Sequence, residues 1–81
     1  MDRPDVRAWV RGYLASLLKA QAQQIRLDCD FAAYGLDSVD AIRMAGALEE
    51  DLGVPVDPAI LLRYKTLEEI VGVLEAQQRS A

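Results

Sequence analysis

The chain has 81 residues, 52% of them hydrophobic, and a formal net charge of -4 at pH 7. This length allows a single domain with a modest core, and the composition is too apolar for a disordered chain. No apolar run approaches the roughly 18 residues that cross a membrane, and no secretory signal is visible, so we expect a cytoplasmic protein.

Groups that commonly carry catalysis are scarce. The chain contains no histidine, the commonest general base and metal ligand. Its single cysteine, Cys29, can form neither an intramolecular disulfide nor a cysteine-rich metal site. We interpret it as a half-buried loop thiol, because no histidine is available to activate it. The sequence therefore argues against an independent enzyme and against a metal site.

Acidic residues are concentrated in the middle of the chain. Residues 27–57 carry eight acids against Arg43 alone, a net of -7, whereas residues 1–26 carry a net of +3. Such a segment repels nucleic acid and membrane phosphates and attracts basic protein surfaces, although an ordinary solvated helix face has similar charge. We therefore expect protein partners, no nucleic acid, no membrane, and a monomer.

Apolar residues at intervals of three and four predict a first helix over residues 4–20. Pro4 suits its first turn, and Asp5 suits the positive end of its dipole. The apolar face consists of Val6, Trp9, Val10, Tyr13, Leu14, Leu17 and Leu18. Residues 21–36 show no clean period and predict a long loop, pinned to the core at Ile25, Leu27 and Phe31.

Capping residues predict three further helices. Asp37 with Asp40 three residues later is close to a capping box, and Gly53 is a natural C-cap. Pro58 opens a short helix and Thr66 the last one. The four predicted helices cover residues 4–20, 38–52, 58–63 and 66–77. The expected fold is an all-α four-helix bundle over residues 1–81, with three main helices, a short third helix and a long loop after the first.

The second predicted helix has two apolar faces. At about 100° per residue, one arc forms its core face. The residues of this core face are Ala41, Met44, Ala45, Leu48 and Leu52. Val39, Ile42 and Gly46 lie on another side. That side is bordered by Asp40, Glu49 and Glu50. Either Val39 and Ile42 pack under the long loop, or they form an exposed apolar patch in an acidic frame that other proteins bind.

Ser38 stands at the start of this helix. A serine here is usually a cap, and without a neighbouring base it is not a self-activated nucleophile. An exposed hydroxyl at a helix N-terminus can, however, receive a phosphoryl-linked group, because the helix dipole and free N–H groups favour an anion.

The residues around this serine occur in a distinctive order: Phe31, Tyr34, Gly35, Leu36, Asp37, Ser38, Val39 and Asp40. This segment resembles the phosphopantetheine attachment motif of acyl carrier proteins, in which a Phe precedes Gly-x-Asp-Ser-Leu. Residues 46–54 resemble the family's second-helix ending, and residues 64–70 its entry to the last helix. The resemblance covers about residues 25–75.

The resemblance implies a carrier and not an enzyme. Ser38 would be the attachment residue, with 4'-phosphopantetheine transferred covalently from coenzyme A by a phosphopantetheinyl transferase, and Asp37 would help to position that reaction. The terminal thiol of the arm would hold acyl groups as thioesters for acyl-loading and acyl-processing synthase enzymes. The second helix would be the recognition helix. Its partner-binding residues would be Val39, Asp40, Ile42, Arg43, Gly46 and Glu49.

The residues before the serine, Tyr34 to Asp37, favour an acyl carrier over a peptidyl carrier, because a peptidyl carrier more often has a Gly-Gly pair there. Arg43, Arg63 and Lys65 depart from common family residues and favour polyketide or related biosynthesis over fatty-acid synthesis. A peptidyl or aminoacyl carrier and an unmodified carrier-like interaction module remain the alternatives.

Overall fold

The computed structural model describes residues 5–53 and 55–80. Its four α-helices follow in the predicted order: α1 over Val6–Leu18, α2 over Ser38–Leu52, α3 over Ala59–Arg63 and α4 over Leu67–Ser80. The expected all-α bundle, with three main helices and a short third one, is confirmed.

The first helix begins after an aspartate cap. Asp5 has an extended backbone, and its carboxylate accepts a hydrogen bond from the backbone N–H of Ala8 at 3.2 Å. Asp5 is therefore the N-cap, and not the first-turn residue that the sequence indicated, so α1 starts at Val6. The predicted role of Pro4 lies outside the described residues.

The same helix ends two residues earlier than predicted. Lys19 adopts a left-handed backbone with φ 57°, and its N–H bonds to the carbonyl oxygens of Ala15 and Ser16. This αL cap closes the last turn at Leu18. The prediction was wrong here because no glycine or proline marks the end.

The row of α1 residues that faces the core also differs from the prediction at one place. Val6, Val10 and Leu14 are buried and step by four residues, a row that winds about 40° around the helix at each step. Leu17 lies about 60° around the helix from Leu14, against the direction in which this row advances, and it is 41% exposed. Its assignment to the apolar core face was therefore wrong.

The segment between α1 and α2 is more ordered than a plain loop. It contains two 3₁₀ turns, over Ala22–Gln24 and Phe31–Tyr34. Ile25, Leu27 and Phe31 are buried at 3%, 4% and 1% exposure, so their predicted anchoring is confirmed.

Backbone hydrogen bonds fix this segment to the start of α4. The N–H groups of Leu67 and Glu68 donate to the carbonyl oxygens of Cys29 and Leu27, each at 2.8 Å. The first N–H groups of a helix have no partner within it, and here the segment supplies two of the acceptors. Cys29 itself is half-buried, as predicted.

Polar side chains bond to the backbone at the starts of the last two helices. The Asp57 carboxylate accepts from the N–H of Ala59 at 2.9 Å. Pro58 is the N-cap residue, so α3 starts at Ala59, one residue later than predicted. The Thr66 hydroxyl accepts from the N–H of Glu69 at 3.1 Å. The fourth helix then continues three residues beyond the predicted end at residue 77. The polar residues there are adequate helix formers, and no breaker stops them.

All four helices and the long segment contribute to one core. Its most deeply buried large side chains are Phe31, Leu14, Met44, Leu48, Leu61, Leu67, Ile70, Leu74, Val6, Val10 and Val71. The third helix packs against both α2 and α4.

Candidate functional site

The start of α2 is held by a reciprocal pair of hydrogen bonds. The Asp37 carboxylate accepts from the backbone N–H of Asp40 at 3.1 Å, and the Asp40 carboxylate accepts from the backbone N–H of Asp37 at 3.1 Å. This is the capping box that the sequence predicted. Gly35 precedes it with φ 75°, a left-handed conformation that glycine adopts without strain. The turn into α2 is thereby fixed on both sides.

The cap also changes the acidity of its first residue. The hydrogen bond from the Asp40 backbone N–H is the main cause that lowers the pKa of Asp37, and the side chain of Asp40 adds to it. A carboxylate that accepts N–H bonds is stabilised in its charged form. Asp37 therefore stays ionised at neutral pH beside the first residue of the helix.

Ser38 is that first residue, and its side chain is exposed. The two capping bonds run between Asp37 and Asp40 and leave the Ser38 hydroxyl out. The structure thus presents this hydroxyl at the surface, at the N-terminal end of a 15-residue helix. Another protein can reach it without opening the bundle.

Tyr34, which the sequence indicated only as part of the motif, anchors the segment that leads to this site. The Tyr34 hydroxyl accepts from the backbone N–H of Arg26 at 2.7 Å and donates to the carbonyl oxygen of Arg26 at 2.8 Å. Burial is the main cause that raises the pKa of Tyr34. Together with buried Phe31, these two bonds hold the segment before α2 in place. No periodic pattern in the sequence pointed to this contact.

The apolar patch predicted on α2 is at the surface. Val39 is 52% exposed and Ile42 is 60% exposed. Gly46 is also exposed, and a Cβ placed there would have no neighbouring atom within 4 Å. The alternative in which these residues pack beneath the long loop is therefore wrong. We call Ser38, Val39, Ile42, Arg43 and Gly46 the α2 face.

The acids beside the α2 face do more than frame it. Asp40 is half-buried and belongs to the capping box, while the Glu49 carboxylate accepts from the backbone N–H of Val56 at 2.8 Å and ties α2 to the α2–α3 connection. Glu50 is exposed. The two acids predicted as partner-binding residues thus both have a structural contact. The sequence predicted that of Asp40 and did not reveal that of Glu49.

One further exposed apolar residue was missed. Leu62 of α3 is 50% exposed, and α3 packs against α2. The five-residue helix is too short for a periodic pattern to show which of the adjacent leucines, Leu61 or Leu62, faces the core. Leu61 is the buried one.

Within residues 5–53 and 55–80, no group of three or more His, Cys, Asp or Glu side chains could hold a metal ion. Nor does that part of the chain contain a helix with the length and apolarity needed to cross a membrane.

The fold and the site together define a class of protein. A small helical bundle with an exposed serine at the start of its second helix, beside an exposed apolar and charged face, has the form expected of a carrier domain. Comparison with known families agrees: the phosphopantetheine attachment site family matches residues 8–74, and the chain belongs to this family. Domains of this family carry a covalently attached 4'-phosphopantetheine.

Similar segments occur inside large synthases. The chain is 39% identical over 51 residues, 63% of its length, to Polyketide synthase 2 of Metarhizium robertsii. It is 35% identical over 78 residues, 93% of its length, to the nonribosomal peptide synthetase apmB of Penicillium brevicompactum. It is 34% identical over 65 residues, 80% of its length, to the polyketide synthase ThaG of Burkholderia thailandensis. The chain spans only 2%, 3% and 1% of the lengths of these proteins.

Proposed function

We propose that Ser38 carries 4'-phosphopantetheine and that the chain is a single, non-catalytic acyl carrier domain of polyketide or related natural-product biosynthesis. The observation that carries this proposal is the exposed Ser38 side chain at the first position of α2, directly after the ionised cap Asp37. Family membership supports the cofactor, and the attachment residue rests on this geometry together with the motif.

The residues at the start of α2 fit a phosphodiester. The helix dipole and the N–H groups of its first turn favour the negative charge on the non-bridging oxygens of a phosphodiester linked to Ser38. When bound, the group supplies a terminal thiol that carries an acyl chain as a thioester. The chain itself contributes the exposed oxygen, the rigid turn behind it and the α2 face beside it, while the reactive groups belong to the partner enzymes.

Installation of the group needs an external enzyme, because the chain has no histidine and neither Lys19 nor Lys65 lies near Ser38 in the sequence. A phosphopantetheinyl transferase would bind coenzyme A and accept the Ser38 proton. The Ser38 oxygen would form a bond to the pantetheine-linked phosphorus, and the bond from that phosphorus to the adenosine bisphosphate leaving group would break. The transferase and the synthase enzymes are therefore the partners, and the chain acts as a monomer.

One intact-mass experiment tests the attachment site. The apo-protein is incubated with coenzyme A, Mg²⁺ and a broad-specificity phosphopantetheinyl transferase, and a mass gain of one phosphopantetheine is expected. Ser38→Ala should gain nothing. The matched control is Ser16→Ala, which removes another exposed helical serine and should be modified like the wild type. Unmodified wild-type protein would support the alternative of a carrier-like interaction module, and modification of Ser38→Ala would move the site elsewhere.

A peptidyl or aminoacyl carrier is the second candidate, and the similarity to a nonribosomal peptide synthetase favours it. The two candidates differ in which enzymes load the thiol. We expect a trans-acting malonyl acyltransferase to load the modified protein faster than amino-acid-activating adenylation enzymes do, as followed by the mass of the loaded species. The reverse order would assign the chain to peptide synthesis while leaving its carrier role intact.

A further inference from the structure

Arg43 interrupts an otherwise acidic surface. It is the only cation between Arg26 and Arg63 in the sequence, and its side chain is exposed in the middle of α2. A single exposed positive charge affects binding only when a partner removes water from it. The neighbouring residues on the helix show whether the chain itself supplies an ion-pair partner.

Among the residues that the structure describes, none forms an ion pair with the Arg43 guanidinium. One turn further along the helix, Gly46 and Ala47 carry no charge. One turn earlier, Asp40 is at ion-pair spacing, but its carboxylate accepts the N–H of Asp37 in the capping box. The two ion pairs formed within the described residues join Arg7 to Glu68 and Arg26 to Asp28, and neither includes Arg43.

Arg43 also lies close to Ser38 along the axis of α2, on the side of the helix that carries the exposed Val39. At about 100° per residue it falls within about 40° of Val39, one turn away on the same side of α2. The rise of about 1.5 Å per residue puts it only about 7.5 Å along the axis from Ser38. A protein that covers the exposed Val39 beside Ser38 therefore covers Arg43 as well.

A partner surface that closes over this guanidinium removes water from it. Leaving a desolvated charge without an opposite charge is strongly unfavourable, and facing it with another positive charge is worse. The acids beside the α2 face attract basic surfaces, so Arg43 rejects those basic surfaces that lack an acceptor at one position.

From the position and exposure of this side chain, we propose that Arg43 selects partner enzymes that present one carboxylate to it. The rest of their carrier-binding surface would be basic and apolar. This inference rests on the proposed function, because it assigns the partner chemistry of the face beside Ser38. It makes Arg43 a specificity-determining residue. The partner's carboxylate would accept a charge-assisted hydrogen bond from the guanidinium at that position.

The test measures how the charge at residue 43 couples to charges on an enzyme that acts at Ser38. The probe is the purified broad-specificity phosphopantetheinyl transferase. It is used as the wild type and as variants in which each charged residue around its carrier-binding surface is reversed singly. The protein is used as the wild type, Arg43→Gln, Arg43→Glu and Arg79→Glu. The last is the control, since it makes the same charge change at an exposed position near the end of α4.

We expect one enzyme position at which a negative charge gives the higher kcat/KM with the wild type and a positive charge gives the higher kcat/KM with Arg43→Glu. The coupling in kcat/KM should be on the order of tenfold, typical of facing charges, and should be carried by KM and weaken with added salt. Arg43→Gln should lose the preference. Coupling no larger than that of Arg79→Glu at every enzyme position would overturn the proposal. Absence of any modification of the wild type would instead refute the attachment at Ser38.

Discussion

Two isoleucines give a matched test of which apolar side chains stabilise the bundle and which are available at its surface for binding by a partner. Ile70 of α4 is 0% exposed, whereas Ile42 of α2 is 60% exposed. Truncating a buried isoleucine removes buried methyl groups and leaves a cavity, so Ile70→Ala should lower the free energy of unfolding by about 2–5 kcal/mol. Truncating an exposed one leaves no cavity, so Ile42→Ala should change it by less than about 0.5 kcal/mol.

The size of the domain makes this difference easy to observe. At about 0.05–0.15 kcal/mol per residue, its stability is about 4–12 kcal/mol, so Ile70→Ala removes a large fraction of it. If that variant does not fold, Ile70→Val serves in its place. Its expected loss of about 0.5–1.5 kcal/mol corresponds to a fall in Tm of about 2–12 °C, whereas Ile42→Val should leave Tm unchanged within a degree or so.

Urea unfolding followed by circular dichroism and by the fluorescence of Trp9, the single tryptophan, measures the stability of each variant. The rate of phosphopantetheine transfer measures docking. We expect Ile42→Ala to unfold at the wild-type urea concentration but to show a raised KM for the transferase. A loss of more than about 1 kcal/mol in Ile42→Ala would mean that this side chain is packed in solution, and the docking role of the α2 face would then lose its basis.

Three further predictions concern the frame around the site. Gly53→Ala should destabilise the bundle by about 1–2 kcal/mol because φ is 74° there, whereas Gly72→Ala, inside α4 with open space around it, should stabilise it by about 0.5–1 kcal/mol; thermal unfolding measures both. The ion pair with Arg7 lowers the pKa of Glu68, so the contribution of this pair to stability should be lost as the pH falls through the folded-state pKa. In Glu68→Gln, the free energy of unfolding measured in urea should therefore depend less steeply on pH below about pH 4.5. Tyr34→Phe should lose about 1–3 kcal/mol and speed amide hydrogen exchange in the segment before α2.

Each of these has a clear contrary result. Equal effects of the two glycine substitutions would show that backbone conformation does not decide their sign. Parallel stability curves for Glu68→Gln and the wild type across the acid range would remove the role of the Arg7 ion pair. Unchanged hydrogen exchange in Tyr34→Phe would show that the segment is held by its buried apolar residues alone.

Local chemistry made the start and end of α2 predictable. Asp37, Asp40 and Gly53 act on their own backbone within four residues, so the sequence contains all that is needed to place both ends. The end of α1 was different, because Lys19 takes a left-handed conformation that no residue type announces. The end of α4 was also misplaced, since a helix of polar residues continues until something breaks it.

Features that depend on distant contacts could not be predicted in the same way. The 3₁₀ turns before α2 lie in a segment whose carbonyls bond to the start of α4, some forty residues away in the chain. The exposure of Leu17 and Leu62 depends on which parts of the bundle cover each position, and a local periodic pattern does not contain that information. The same limit applies to Glu49, whose contact with the backbone of Val56 requires the α2–α3 connection to fold back.

The α2 helix can bind partners without losing its place in the bundle because its tasks fall on separate sides. Ala41, Met44 and Leu48 are 0% exposed and hold the helix against the core, so Val39 and Ile42 are not needed for that purpose. Two adjacent exposed apolar side chains would by themselves favour self-association. The acids of the same helix oppose it, because two copies that meet through this face bring like charges together. Under the proposed function, a partner with basic side chains would reverse that sign, so the acidic frame would oppose contact between copies of the chain while attracting basic partner surfaces.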